Sequence, residues 1–189
     1  MTRFWWVRHG PTHAKGMVGW TDLPADLSDT AQIARLRDYL PPDAVVVSSD
    51  LQRAATTADA IAGTRTRLPD DPDLREIHFG NWEMLHHREI EARDPDLIRA
   101  FWDQPGDVRA PGGETWNEAA MRVSRAADAL AQHHRYVIVV AHFGAILTQV
   151  QRALAIPAYD AFAHRIDNLS VTSIGYDAQW HVERINHIP

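Results

Sequence analysis

Three short segments bring reactive side chains to points where the chain changes direction: Val7-Arg8-His9-Gly10, Ser48-Ser49 leading to Arg53, and Ala141-His142-Phe143-Gly144. Each follows an apolar run of strand character, and in open α/β sheets ligand sites form in the crevice outside the carboxyl ends of the strands. Two histidines and two arginines in such places point to an anion pocket. A guanidinium offers a planar fork of donors that matches phosphate oxygens two at a time. Gly10 lets the backbone turn and bring its N–H groups close to an anion. Taken singly, a histidine at a strand end is usually an ordinary polar residue, and Arg53 on the first turn of a helix is usually solvated or salt-bridged. Their recurrence at successive strand ends singles them out.

The elements that must position these residues alternate between short apolar runs and segments of helical period, the mark of an α/β sheet with helices on its faces. Strands are expected over Phe4 to Val7, Ala44 to Ser48 and Tyr136 to Ala141. Ile33, Leu36 and Leu40 make a helix face behind the cap pair Asp29 and Gln32, with Pro41-Pro42 as the stop. Leu51, Ala54, Ala58 and Ile61 make the next, ending at Gly63. A capping box, Thr115 and Glu118, opens a long helix carrying Ala120, Val123, Ala127 and Leu130. Ile146, Val150 and Leu154 continue the helical spacing after Phe143, and Val171 to Tyr176 and Trp180 to Ile185 read as a hairpin through Asp177-Ala178. Between Asp70 and Gly113, prolines 72, 95, 105 and 111 break the pattern into short helical pieces around His86 to Arg93 and Asp96 to Trp102. Residues 70–113 are expected to form an excursion from the sheet over the site. The fold predicted is a three-layer sandwich with a mostly parallel central sheet and helices on both faces, in one domain spanning residues 1–189.

The 189 residues carry 25 acidic and 19 basic side chains, a formal net charge of -6. That argues against a nucleic-acid partner. The basic residues are eighteen arginines and a single lysine, Lys15. With no cysteine there is no disulfide framework, thiolate metal site or cysteine nucleophile, which fits a reducing compartment. Phe4-Trp5-Trp6-Val7 is too short for a signal peptide, and no apolar run approaches the roughly 18 residues of a membrane span. A cytoplasmic protein without a membrane partner is expected, its oligomeric state left open. Eleven histidines assemble no convincing metal site. His9 and His13 flank a proline outside any helix, and the adjacent pairs His86-His87 and His133-His134 point apart.

Arg8-His9-Gly10-Pro11-Thr12 resembles the signature of the histidine phosphatase superfamily, the phosphoglycerate mutase-like group, in its first branch. Gly19-Trp20-Thr21-Asp22-Leu23-Pro24, with Leu27-Ser28, is similar to the loop that follows. Ser48-Ser49-Asp50-Leu51-Gln52-Arg53-Ala54, with Thr57-Ala58, resembles the second motif, and Leu74 to Glu83 the third. Pro111-Gly112-Gly113-Glu114-Thr115 precedes the long helix, and His142 follows the strong strand, as the family pattern requires. The resemblance implies that His9 is a nucleophile forming a phosphohistidine, and that Arg8, Arg53 and His142 clamp the phosphoryl group. It also implies that Glu76 is the general acid and then base, and that neither metal nor cofactor is needed. Neighbouring arginines would keep His9 neutral near pH 7. The chain departs from the family at Pro11, at Lys15 where the pattern has asparagine, and at Phe143 and Met84 where it has glycine. Thr12, Lys15 and Phe143 are therefore expected at the substrate, and Met84 in packing.

The expected function is hydrolysis of a small phosphomonoester. The nearest alternative is phosphoglycerate mutase-type transfer, whose members carry a longer basic insertion between the acid and the second histidine, where this chain has only Arg88, Arg93, Arg99 and Arg109. A non-catalytic phosphate-binding or interaction protein on the same fold is the second alternative. It would be expected to have lost the nucleophile or the acid.

Overall fold

Period-two alternation in two strands decides the layering. Strand β1 (Thr2–Arg8) turns Phe4 and Trp6 to one face of the sheet and Val7 to the other. In the computed structural model, which describes every residue from Met1 to Pro189, two apolar cores result. The smaller, around Val7, Ile138 and Val140, is closed by helices α1 (Thr30–Tyr39) and α2 (Gln52–Ala62). The larger, around Phe4, Trp6, Val137 and Val139, is closed by the later helices.

The remaining strands are β2 (Val45–Ser48), β3 (Tyr136–Ala141), β4 (Val171–Tyr176) and β5 (Trp180–His187), in the spatial order β2-β3-β1-β4-β5. β1 and β2 pair parallel to β3; β4 is antiparallel to both β1 and β5, so four of the five strands run one way. This is the mostly parallel sheet with helices on both faces that the alternation of elements predicts. No helix is long and apolar enough to cross a membrane.

Helix ends follow their caps. The Asp29 side chain accepts the Gln32 N–H at 2.9 Å at the start of α1. Between β2 and β3 the chain forms two 3-10 turns, Pro72–Leu74 and Gly80–Trp82, then α3 (His87–Arg93), α4 (Pro95–Asp103) and α5 (Trp116–His133). The Thr115 and Glu118 side chains close the predicted box on α5, at 3.1 and 3.0 Å. Ile90, Ile98 and Phe101 anchor α3 and α4 in the larger core beside Phe79 and Trp82. After β3 come α6 (Phe143–Leu154) and a four-residue α7 (Ala158–Ala161), too short to leave a periodic trace. β2 starts one residue later than expected and β5 runs two further, to His187.

Met84 does not serve packing. Its side chain is 44% exposed, and its backbone is left-handed, with φ 63°. The Met84 N–H donates to the Met17 carbonyl at 2.7 Å, which ties the segment after β1 to the excursion and holds that conformation. A side chain there clashes with its own backbone, and the position suits glycine. Met84→Gly is expected to raise the free energy of unfolding by about 1 kcal/mol. The change should read as a higher urea midpoint at unchanged slope; a midpoint at or below that of the parent chain would contradict it.

Candidate active site

Parallel pairing puts two histidines side by side. Arg8 is level with Ala141 in the β1/β3 register, so the next residue of each strand, His9 and His142, leaves the sheet at the same edge. Their ring centroids are 5.0 Å apart. β2 ends level with Val140, and the first turn of α2 carries Arg53 back over the same edge, almost wholly buried. Arg8, His9, Arg53, Glu76, Thr12 and Phe143 border one cavity of about 220 Å³; His142 is not in its lining but keeps its ring beside that of His9.

The protons on His9 are set by its neighbours. Nδ1 lies 2.6 Å from the Gly10 carbonyl, which can only accept, so Nδ1 carries the hydrogen and Nε2 the lone pair. The Arg53 Nε–H donates to Nε2 at 3.3 Å. Two backbone ties fix the residue's height: Asn168 donates to the His9 carbonyl at 2.8 Å, and the Gly10 N–H to the Thr57 hydroxyl at 3.1 Å. Arg53 spends its other nitrogens on the carbonyls of Gly19, at 2.6 Å, and Thr21, at 2.9 Å. Arg8 donates to the Ile166 carbonyl at 2.7 Å and lies over the Phe143 ring, 5.5 Å from its centroid.

Some polar atoms here are buried without partners: Arg8 Nε and both ring nitrogens of His142. Orphaned buried groups cost free energy and mark a place where a ligand completes the structure. Arg8 Nε is a donor, as is one nitrogen of a neutral imidazole, which selects an anion with several acceptor oxygens.

Glu76 reaches the site from the excursion. Its carboxylate sits on the N-terminus of α6, accepting the N–H groups of Gly144 at 3.0 Å and Ala145 at 3.2 Å, and that of Ile77 at 2.9 Å. A Cβ on residue 144 would lie 2.5 Å from Glu76 Oε1, so only glycine admits the carboxylate this close. The Glu76 backbone is gripped from α5: Arg122 donates to the carbonyls of Glu76, Arg75 and Asp73 at 2.7, 2.7 and 2.9 Å. Glu114 pairs with Arg122 at 2.7 Å and accepts the His78 N–H at 3.0 Å.

The structure thus gathers seven of the eight residues singled out in the sequence. The exception is Lys15, whose side chain is exposed and outside the cavity lining, although its neighbours Ala14 and Gly16 belong to that lining. An ammonium on a flexible stem favours water over a site already holding two guanidiniums. Among the supporting residues, Arg122 has a signal in the sequence: it interrupts the apolar stripe of α5 between Ala119 and Val123, as a buried cation would. Asn168 has none. A larger surface groove beside Arg37 and Gly63 offers no comparable chemistry, because its Arg65 is spent on backbone carbonyls, including those of Pro41 and Leu40.

Burial, then the charge of Arg53 and lastly that of Arg8, pushes the His9 pKa down to about 3, against the opposing pull of the Gly10 carbonyl. Burial also holds His142 well below the ordinary range, helped by His9 and the nearby arginines. Both rings are neutral at pH 7. An unfolded chain protonates its histidines near pH 6.5, so these two cost nothing above that value. Stability is lost as the pH falls from there toward the folded values, about 3 for His9. Ring-nitrogen NMR at pH 5 is expected to show His9 with its hydrogen on Nδ1 and Nε2 bare; a His9 that titrates at 6.5 or above would refute the assignment.

Residues 4–188 match the family model of the histidine phosphatase superfamily (branch 1). Over 174 residues the chain is 30% identical to an adenosylcobalamin/alpha-ribazole phosphatase of Escherichia coli, covering 87% of this chain and 85% of that one. Among solved structures, YhfR of Bacillus stearothermophilus superposes with a TM-score of 0.90 at 27% identity, over 100% of this chain and 98% of its own. A mycobacterial glucosyl-3-phosphoglycerate phosphatase does so with a TM-score of 0.86 at 26% identity, over 100% of both chains. Matched from its first strand to its last, and alike in fold, the chain belongs to the histidine phosphatase superfamily, branch 1.

Proposed function

We propose that this chain is a phosphomonoesterase that hydrolyses a small phosphorylated metabolite through a phosphohistidine on His9. The observation that carries the reading is an imidazole Nε2 that holds no proton, at a cavity shared by two guanidiniums and a carboxylate, with the unpartnered His142 beside it. Arg8, Arg53 and His142 receive the phosphoryl oxygens. Nε2 attacks phosphorus, the N–P bond forms, and the P–O bond to the alcohol breaks. Glu76 passes its proton to the departing alkoxide. That proton enters with the substrate: a phosphomonoester takes up its second proton near pH 6, and the bound monoanion hands it to the Glu76 carboxylate, which relays it to the alkoxide. Water then enters, Glu76 takes its proton, and attack on phosphorus breaks the N–P bond to release phosphate and the free imidazole. Charge on the transferring group is met by donors already fixed in place, so this sequence of steps calls on no metal ion.

The alcohol's carbon skeleton would meet Ala14, Val18, Phe79 and Phe143, which supply the apolar part of the cavity wall. None of Arg88, Arg93, Arg99 and Arg109 borders the cavity, and Arg109 is committed to Glu118 at 2.5 Å. That favours transfer to water over return to a second hydroxyl. The cysteine-free composition suits the reducing cytoplasm.

Brief incubation with a phosphorus-labelled phosphomonoester and quenching should leave acid-labile, base-stable label on His9. Steady hydrolysis with no label there, or hydrolysis unchanged in His9→Ala, would overturn the mechanism. Glu76→Gln is expected to lower kcat by about 10²- to 10⁴-fold with a smaller change in KM. A phosphoglycerate interconversion assay should show release of inorganic phosphate and no transfer between hydroxyls.

A further inference from the structure

Glu83 lies outside the cavity lining, yet every hydrogen bond of its carboxylate leads toward the site. Oε1 accepts the N–H groups of Trp20 at 2.7 Å and Phe79 at 3.1 Å. Oε2 accepts the N–H groups of Gly19 at 3.0 Å and Thr21 at 3.2 Å, and the Thr21 hydroxyl at 2.8 Å. Three successive backbone donors, those of residues 19, 20 and 21, thus converge on one carboxylate. The peptide that joins Gly19 to Trp20 is used at both ends, its N–H on Glu83 and its carbonyl on Arg53, and the Thr21 carbonyl, at the end of the same loop, is the second that holds Arg53. Arg53 in turn meets His9 Nε2.

We propose that Glu83 is a positioning residue that aims Arg53 at His9 and at the phosphoryl group, acting through the backbone of residues 19–21. The proposal rests on the phosphatase reading only for the identity of the anion. A carboxylate that gathers N–H groups on one side of a loop turns its carbonyls outward, and those carbonyls fix the guanidinium fork in rotation and in depth. Negative charge on Glu83 also opposes the cost of burying Arg53, and its donors hold Glu83 ionised against the effect of its own burial. Glutamine in its place would set an NH₂ donor against backbone donors and so release the loop.

The test is a double-mutant cycle on the full chain with Glu83→Gln and Arg53→Gln, read by two measurements that need no turnover. One is the His9 titration followed by ring-nitrogen NMR without ligand; the other is the dissociation constant of inorganic phosphate. Glu83→Gln is expected to move the His9 titration upward and weaken phosphate by about tenfold. In the Arg53→Gln background it should add less than about twofold, because the group it acts through is gone. Thr21→Val, which removes one donor and keeps the backbone, should move both readouts in the same direction by a smaller amount. It keeps the question decidable if Glu83→Gln fails to fold. Unchanged readouts in the single variants, or an equal loss with and without Arg53, would reduce Glu83 to loop scaffolding and overturn the proposal. Absence of phosphate binding by the parent chain would count against the phosphatase reading alone, since the His9 titration still decides the role of Glu83.

Discussion

Two guanidiniums are held out of water beside an uncharged imidazole, and much of the surrounding structure exists to make that tolerable. Burial lowers the pKa of both Arg8 and Arg53, and the charge of Glu76 opposes it in each case. Carbonyls of Gly19, Thr21 and Ile166 replace part of the lost hydration. What they do not satisfy, notably Arg8 Nε, is left for an anion. A cluster of this kind is incomplete without its ligand, and phosphate supplies both the charge and the acceptors that it lacks.

The same arrangement gives a protein of net charge -6 a local site suited to anions. Acidic side chains on the exterior act through screened solvent, whereas the arginines act at contact distance in a medium that screens little. Glu76 belongs to this electrostatic frame whatever its part in proton transfer. Its carboxylate is stationed on the amides that open α6, and Gly144 keeps that approach free of a Cβ. Phe143 stands in the same turn with its ring under Arg8, so one tripeptide after His142 supports both Glu76 and Arg8.

Much of this was legible because strand ends are legible. His9, Arg53 and His142 are marked by apolar runs that stop at polar or charged residues, and parallel pairing then decides that they meet. Glu76 carries no such mark. It stands in an excursion of short turns, its only cue was the family pattern, and its geometry depends on amides of residues 144 and 145. Lys15 shows the converse, since motif position suggested contact with substrate and hydration keeps the side chain outside. At Met84 the backbone, not the side chain, is the informative part, and a left-handed φ leaves no trace in a single sequence. Asn168, which steadies His9 from 159 positions away, lay beyond any argument from spacing.

The order of strands also bears on how the chain leaves the ribosome. β1 lies at the centre of the sheet between β3 and β4, yet it is made first, and β3 follows about 130 residues later. At ordinary rates of synthesis that interval is roughly ten seconds. Throughout it Phe4, Trp5, Trp6 and Val7 form an apolar strand with both edges unpaired and neither core yet assembled. The segment that leads into His9 is therefore, for the nascent chain, an adhesive surface.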